Sequence, residues 1–339
     1  VDSEKLVPAP SGLIGKAGWK LLGRPPERLV RLLNATIIDA ANAFRPDMIF
    51  YINLHNVLAE TLEQTARYGP NFGYFNDDMF NPQNQSFTFF EAIRNFDCIL
   101  TTKSYNVPEF HAAGACLAIY IPNSYDPKIH FPAEPTTEER ALYSGDVAFI
   151  GTFRPERADF LTGVAKFREE FRLNIWGGAW EKLRRPDYWH RWRRWRDVRA
   201  CVRGKELYCA PMGKAIRSNR IILGLLNHSN RDLHTSRSFE IPACGGFMLA
   251  ERTDEHREYF EEGKEAAYFG SLEELLEKVR YYLAHDEERE RISRAGYERC
   301  LRFPNRYADR AAFAIEQFHR LRKKSWSAGE GLRENSFVS

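Results

Sequence analysis

The chain has 339 residues, 43% of them hydrophobic and 14% aromatic, more than one hydrophobic core usually organises, so two domains are expected. Its 49 basic and 46 acidic side chains leave a net charge of +3, which excludes the uniformly basic surface of a general nucleic-acid binder and makes any basic function local. The six cysteines, at 98, 116, 201, 209, 244 and 300, form no CxxC pair; this favours reduced thiols in a cytoplasmic protein over a disulfide frame or a zinc site.

Apolar runs and helical segments alternate, the pattern of α/β domains with parallel sheets. No apolar run approaches the length of a membrane span, and the N-terminus has no signal-peptide pattern. Residues 31–43 predict a helix that leads through Arg45, Pro46 and Asp47 into a buried strand at 48–53. A second strand at 72–75 ends in Asn76, Asp77 and Asp78, at the edge where open α/β sheets bind ligands. A strand at 96–102, a helix at 107–113 and a strand at 117–121 follow, and the polar, turn-rich residues 134–145 are expected to be the linker. A second series starts with strands at 146–151 and 173–176. It continues with a helical stretch over 214–226 and closes with helices at 272–284 and 287–301. Ala308, Ala311, Ala312, Ile315 and Phe318 recur at helical spacing, so residues 305–323 predict an amphipathic helix, with a disordered polar tail after Ser325.

The stretch 231–250 is the most informative. Thr235 and Ser236 stand where hydroxyls cap a helix starting at Arg237, leaving its first N–H groups for an anion, and Glu240 lies one turn further in. Gly245 and Gly246 end that helix and feed the apolar run 247–250, a buried parallel strand. These residues, together with 146–157, resemble the donor-binding half of the CgeB-like group of GT-B glycosyltransferases, and the resemblance runs from about Pro46 to about Arg302. It implies two Rossmann-like domains with parallel sheets facing a central cleft: an acceptor-side domain over 1–140, a nucleotide-sugar domain over 141–302, and a last segment, 303–339, crossing back to the first domain. The usual opening βαβ unit is expected to be absent, through truncation, a reduced acceptor half or a sheet edge covered by a neighbouring subunit, and residues 1–30 are expected to pack over the edge this exposes. In related enzymes two acidic residues separated by seven others line the donor site, the second holding the ribose and the first approaching the sugar. Glu240 matches the second, Asp232 stands at the first, and this spacing leans to retention of anomeric configuration.

Sugar transfer needs the departing diphosphate stabilised and the donor held in line with its acceptor. Gly151 and Thr152, after the first strand of the second domain, allow close approach to the donor; Arg154, Arg157 and Arg237 are the candidates to meet its diphosphate. The alternative for Arg154 and Arg157 is pairing with Glu156 or Asp159 on a solvated turn. Ser236 and Tyr208 complete the donor set, Tyr208 as an apolar wall for the base or as a core aromatic. Asp77, Asp78 and His55 are the candidates for the acceptor proton. Asn76-Asp77-Asp78 lacks the D-x-D spacing of metal-using transferases, so metal independence is expected, with the nucleotide sugar as co-substrate and no cofactor.

Residues 184–199 hold Trp189, Trp192 and Trp195 among arginines. As a helix they form one aromatic stripe, either lying on an anionic membrane or nucleic acid or docking on the domain with arginines outside. The implied function is a cytoplasmic glycosyltransferase acting on a glycan, protein, lipid or small molecule. The competing classes are a non-catalytic nucleotide-sugar or glycan binding module and a DNA-modifying glucosyltransferase.

Overall fold

The computed structural model describes residues 26–84, 86 and 88–334, apart from the side chains of 186, 187 and 323–334. Most of the segment expected to cover the sheet edge, residues 1–25, therefore lies outside the described residues. The chain divides into two compact units, one reaching to Pro122 and resuming at Ala311, the other Asn123–Arg310.

The first unit comprises α1 (Glu27–Phe44), β1 (Ile49–Ile52), α2 (Ala59–Thr65), β2 (Asn71–Phe75), α3 (Phe89–Ala92), β3 (Cys98–Thr101), α4 (Asn106–Ala112) and β4 (Ala118–Tyr120). The four strands form a parallel sheet in the order β1-β2-β3-β4. Side chains alternate along each strand, so the sheet buries two different faces. Tyr51, Phe75 and Ile99 pack with Leu33 and Ile37 of α1, Leu62 of α2 and Phe110 of α4. Phe72, Cys98 and Leu100 pack with Ala314 and Phe318 of the last helix.

The second unit holds α5 (Thr137–Tyr143), β5 (Gly145–Ile150), α6 (Pro155–Ala165), β6 (Leu173–Trp176), α7 (Arg196–Cys201), β7 (Val202–Gly204), α8 (Cys209–Arg217), β8 (Asn219–Gly224), α9 (Arg237–Ala243), β9 (Met248–Glu251), α10 (Asp254–Tyr259), β10 (Ala267–Phe269), α11 (Leu272–Ala284) and α12 (Asp286–Arg302). Its six strands are all parallel, in the order β10-β9-β8-β5-β6-β7. The long helix α13 (Tyr307–Glu334) starts in this unit and from Ala311 belongs to the first. It runs past Ser325, where the sequence reading ended the order, through a stretch in which Lys, Ala, Glu, Leu and Arg favour helix.

Two further expectations are corrected. Residues 134–145 are not a free linker: Thr136 and Glu139 form a reciprocal capping box at the start of α5, and Glu139 pairs with Lys214 of α8 at 2.7 Å. Residues 214–226 are not one helix. The chain turns at Ser218, and Asn219–Gly224 is β8, buried between β5 and β9, with Val147 beside Ile221 and Leu223 beside Leu249. A fully buried aliphatic run such as Ile221-Ile222-Leu223 carries no alternation to mark it as a strand.

Candidate functional site

The strand order of the second unit fixes where a ligand belongs. From β5 the chain moves to β6 and β7 on one side, then returns to place β8 on the other, so the loops leaving β5 and β8 diverge from a topological switch point. Arg157, on the first turn of α6, spans the two loops. Its Nη1 donates to the Thr152 carbonyl at 3.2 Å, and its Nη2 and Nε donate to the carbonyls of Leu225 and Leu226, each at 3.1 Å. Burial lowers the pKa of this guanidinium, with the Asp232 charge acting against it. Arg157 is thus a staple holding the loops, which corrects its assignment both as a phosphate hand and as a solvated-turn partner of an acidic residue. Glu251, at the end of β9, pins the same β8 loop by accepting from Leu226 N–H at 2.6 Å.

Gly151 is also committed to the frame. Its N–H donates to the Trp176 carbonyl at 2.9 Å, its carbonyl accepts from Trp180 Nε1 at 2.9 Å, and an added Cβ would meet the Phe149 ring at 2.6 Å. Glycine is required here by the packing of β5 against its own neighbour. Thr152 and Arg154 are exposed, and the Arg154 guanidinium, at the residue before α6, has no side-chain partner among the described residues.

The start of α9 overhangs β5. Arg237 Nε donates to the carbonyl of Ile150, the last residue of that strand, at 3.0 Å, and its Nη1 pairs with Glu240 Oε2. Glu240 is buried, and its other oxygen lies 3.6 Å from His130 Nε2. His130 Nδ1 accepts from the Asp126 N–H at 3.0 Å, so the proton of the neutral ring sits on Nε2 and faces Glu240. Burial pushes the His130 pKa below its ordinary value, although the Glu240 carboxylate acts to raise it. The sequence reading missed His130; only its place in the loop after β4, far from 240 in the chain, could have hinted at it.

The expected hydroxyl cap is absent. Ser236 makes no side-chain cap bond; instead the Thr235 N–H donates to Ser238 Oγ at 3.0 Å, and a tight turn engages the N–H groups of Ser238, Phe239 and Glu240. The N–H groups of Ser236 and Arg237 have no partner among the described residues. Behind α9, Ser238 Oγ donates to His256 Nε2 at 2.7 Å, and His256 Nδ1 donates to the Glu251 carbonyl at 2.7 Å. This buried Ser–His pair has every valence spent and is part of the frame.

Asp232 lies in the loop after β8, half-buried, with Oδ1 accepting from Asn230 Nδ2 at 3.1 Å. Tyr208 is 68% exposed at the residue before α8, which removes the core-aromatic alternative. At the ends of β6 and β7 a cavity of about 560 Å³ is lined by Gly177, Arg184, Arg199, Gly204, Lys205 and Glu206, among others.

In the first unit, Asp78 is only 1% exposed, with Oδ1 accepting from Phe80 N–H at 3.1 Å and Asn106 Nδ2 at 3.0 Å. It is a turn-forming carboxylate, which corrects its candidacy as a base. Asp77 is half-buried beside it. His55 Nδ1 donates to the Asn84 carbonyl at 2.5 Å, which leaves Nε2 as the basic nitrogen. Among the described residues no group of three or more His, Cys, Asp or Glu is placed to hold a metal ion.

The Trp189–Trp195 stripe does not exist as a helix. Residues Trp180–Arg184 and Pro186–Arg191 are short 3-10 turns, and Trp195 is buried while Trp189 and Trp192 are exposed. No helix among the described residues is long and apolar enough to cross a membrane, and all six cysteines are free thiols.

Residues 155–316 match the family model described as "Glycosyl transferase-like". HepE of Anabaena in complex with UDP superposes with a TM-score of 0.61 at 14% identity, over 86% of this chain and 82% of its own. The chain has the GT-B fold. Sucrose-phosphate synthase from Thermosynechococcus elongatus superposes on this chain with a TM-score of 0.60 at 14% identity, over 90% of this chain and 80% of its own. For a glycosyltransferase from Rickettsia africae the values are 0.62, 11%, 88% and 83%. HepE has also been solved with UDP-glucose. No curated protein matches the chain.

Proposed function

We propose that this chain is a glycosyltransferase of the CgeB-like group and transfers a sugar from a uridine diphosphate donor bound at the switch point of the second unit. The observation that carries the reading is Glu240: a buried carboxylate beside the end of β5, with Arg237 on one oxygen and His130 near the other. Such a group is suited to accept from ribose hydroxyls, a charge-assisted bond that the free enzyme replaces with Arg237. The diphosphate then lies at the start of α9, where the N–H groups of Ser236 and Arg237 and the guanidinium groups of Arg237 and Arg154 oppose its charge. The cavity at the ends of β6 and β7 receives the base, with Tyr208 beyond its rim. The UDP complexes of HepE support uridine as the nucleoside.

In the transfer, the bond between the anomeric carbon and the diphosphate oxygen breaks and its electron pair stays on the diphosphate. The acceptor oxygen bonds to the anomeric carbon, and its proton passes to the departing diphosphate oxygen. Stabilising the departing diphosphate with fixed cations is electrostatic catalysis that requires no metal. The spacing of Asp232 and Glu240 supports retention, and the six thiols fit a cytoplasmic setting. A donor-hydrolysis assay across uridine, guanosine, thymidine and adenosine diphosphate sugars tests the reading. Release of UDP alone, unchanged by chelator, is expected. Hydrolysis of another nucleotide would overturn the uridine assignment, loss of activity with chelator the metal independence, and neither binding nor hydrolysis of any donor the function.

A further inference from the structure

We propose that residues 184–199 form a rigid knob that docks the protein on an anionic lipid surface, with Trp189 and Trp192 entering the headgroup layer. The segment holds seven arginines and two aspartates, so it carries +5 in a chain whose total is only +3. Its third tryptophan is the rivet. Trp195 is fully buried, donates from Nε1 to Asp159 Oδ1 at 2.8 Å and meets the Phe153 ring edge-on at 5.7 Å. The turns that carry Trp189 and Trp192 are fixed by that anchor, and the two indoles stand 77% and 54% exposed.

Arginine charge surrounds them. Arg191 and Arg194 share Asp159 and Arg196 pairs with Asp197, but Arg184, Arg185 and Arg193 are exposed and have no carboxylate partner among the described residues. Exposed indoles ringed by unneutralised guanidinium groups match the headgroup region of an anionic bilayer, where an amphipathic ring is at home and basic side chains meet phosphate. Nucleic acid fits less well. The Arg199 guanidinium lies 4.6 Å over one face of the Trp192 ring, which closes that face to a base and leaves Trp189 the more open stacking platform.

The test is co-sedimentation of the full chain with phosphatidylcholine vesicles and with vesicles one-third phosphatidylglycerol. The wild type is expected to partition onto the anionic vesicles only, and to be released when salt is raised to about 1 M. Replacing Arg184, Arg185 and Arg193 by Gln together is expected to weaken partitioning about a hundredfold, the product of about fivefold per basic residue near such a surface. The Trp189→Ala/Trp192→Ala variant is expected to lose about tenfold or more on the same vesicles. Both variants alter exposed side chains and are expected to keep the wild-type melting temperature, which separates lost docking from lost folding. No partitioning by the wild type, equal partitioning onto neutral vesicles, or unchanged partitioning in both variants would overturn the proposal. Binding of a single-stranded oligonucleotide that depends on Trp189, without vesicle binding, would overturn it and assign the surface to nucleic acid.

Discussion

The two sides of α9 are built from the same residue types and arranged to opposite ends. Behind the helix, His234 donates from Nδ1 to Glu255 at 2.5 Å and accepts at Nε2 from the Asn123 N–H at 3.0 Å, while Ser238 and His256 close a second chain of hydrogen bonds. In front, Glu240 faces His130 at 3.6 Å, beyond hydrogen-bond range, and two N–H groups at the helix start have no partner among the described residues. A polar group whose valences are all met by protein holds shape; one with a charged neighbour and spare valence is available to a ligand. The difference separates frame from candidate site, and each variant below should move one without the other.

The largest effect is expected behind the helix. His234→Ala removes the hydrogen bond from His234 to the buried Glu255 carboxylate and should cost about 3–5 kcal/mol of stability, read by denaturant unfolding. UDP affinity of the folded fraction should stay unchanged; a loss of affinity at preserved stability would merge the two sides and break the comparison.

Next comes a pH dependence. Burial pushes the His256 pKa down to about 4 from its ordinary 6.5. A histidine with a depressed folded pKa contributes stability above its unfolded pKa, and that contribution is lost as pH falls from 6.5 towards 4, on the order of 3 kcal/mol. Unfolding curves across that window should show the slope in the wild type and a flatter one in His256→Gln. Equal slopes would remove His256 from the frame.

A smaller effect sharpens the contrast between two neighbouring arginines. Arg157→Ala loses three hydrogen bonds to loop carbonyls and should lower stability by about 2–3 kcal/mol. Arg154→Ala should leave the melting temperature unchanged and lower turnover about tenfold, the loss of one charge-assisted contact to the departing diphosphate. Normal turnover in Arg154→Ala would remove it from the mechanism.

Much of the fold was legible because strands bounded by turn residues announce themselves: residues 72–75, 98–101 and 173–176 fall inside or on the expected runs. β8 was not, since Ile221 to Leu223 is buried on both faces and shows no period. Site residues divide in the same way. The placement of Glu240 and Arg237 on a short helix after β8 was legible from a local pattern. His130 was not, because it meets Glu240 only through the fold, and Arg157 was misread because the carbonyls it binds lie about 70 residues away, at 225 and 226. The Trp189, Trp192 and Trp195 spacing implied one stripe only if the segment were a helix, and its short 3-10 turns send Trp195 inward.

The central claim is that Glu240 holds the ribose of the donor nucleotide. Isothermal titration of UDP into wild type and Glu240→Ala tests it most directly. Loss of a hydrogen bond to a charged group, about 1.5–3 kcal/mol, predicts a Kd raised roughly tenfold to a hundredfold. A folded Glu240→Ala protein that binds UDP as tightly as the wild type would contradict it.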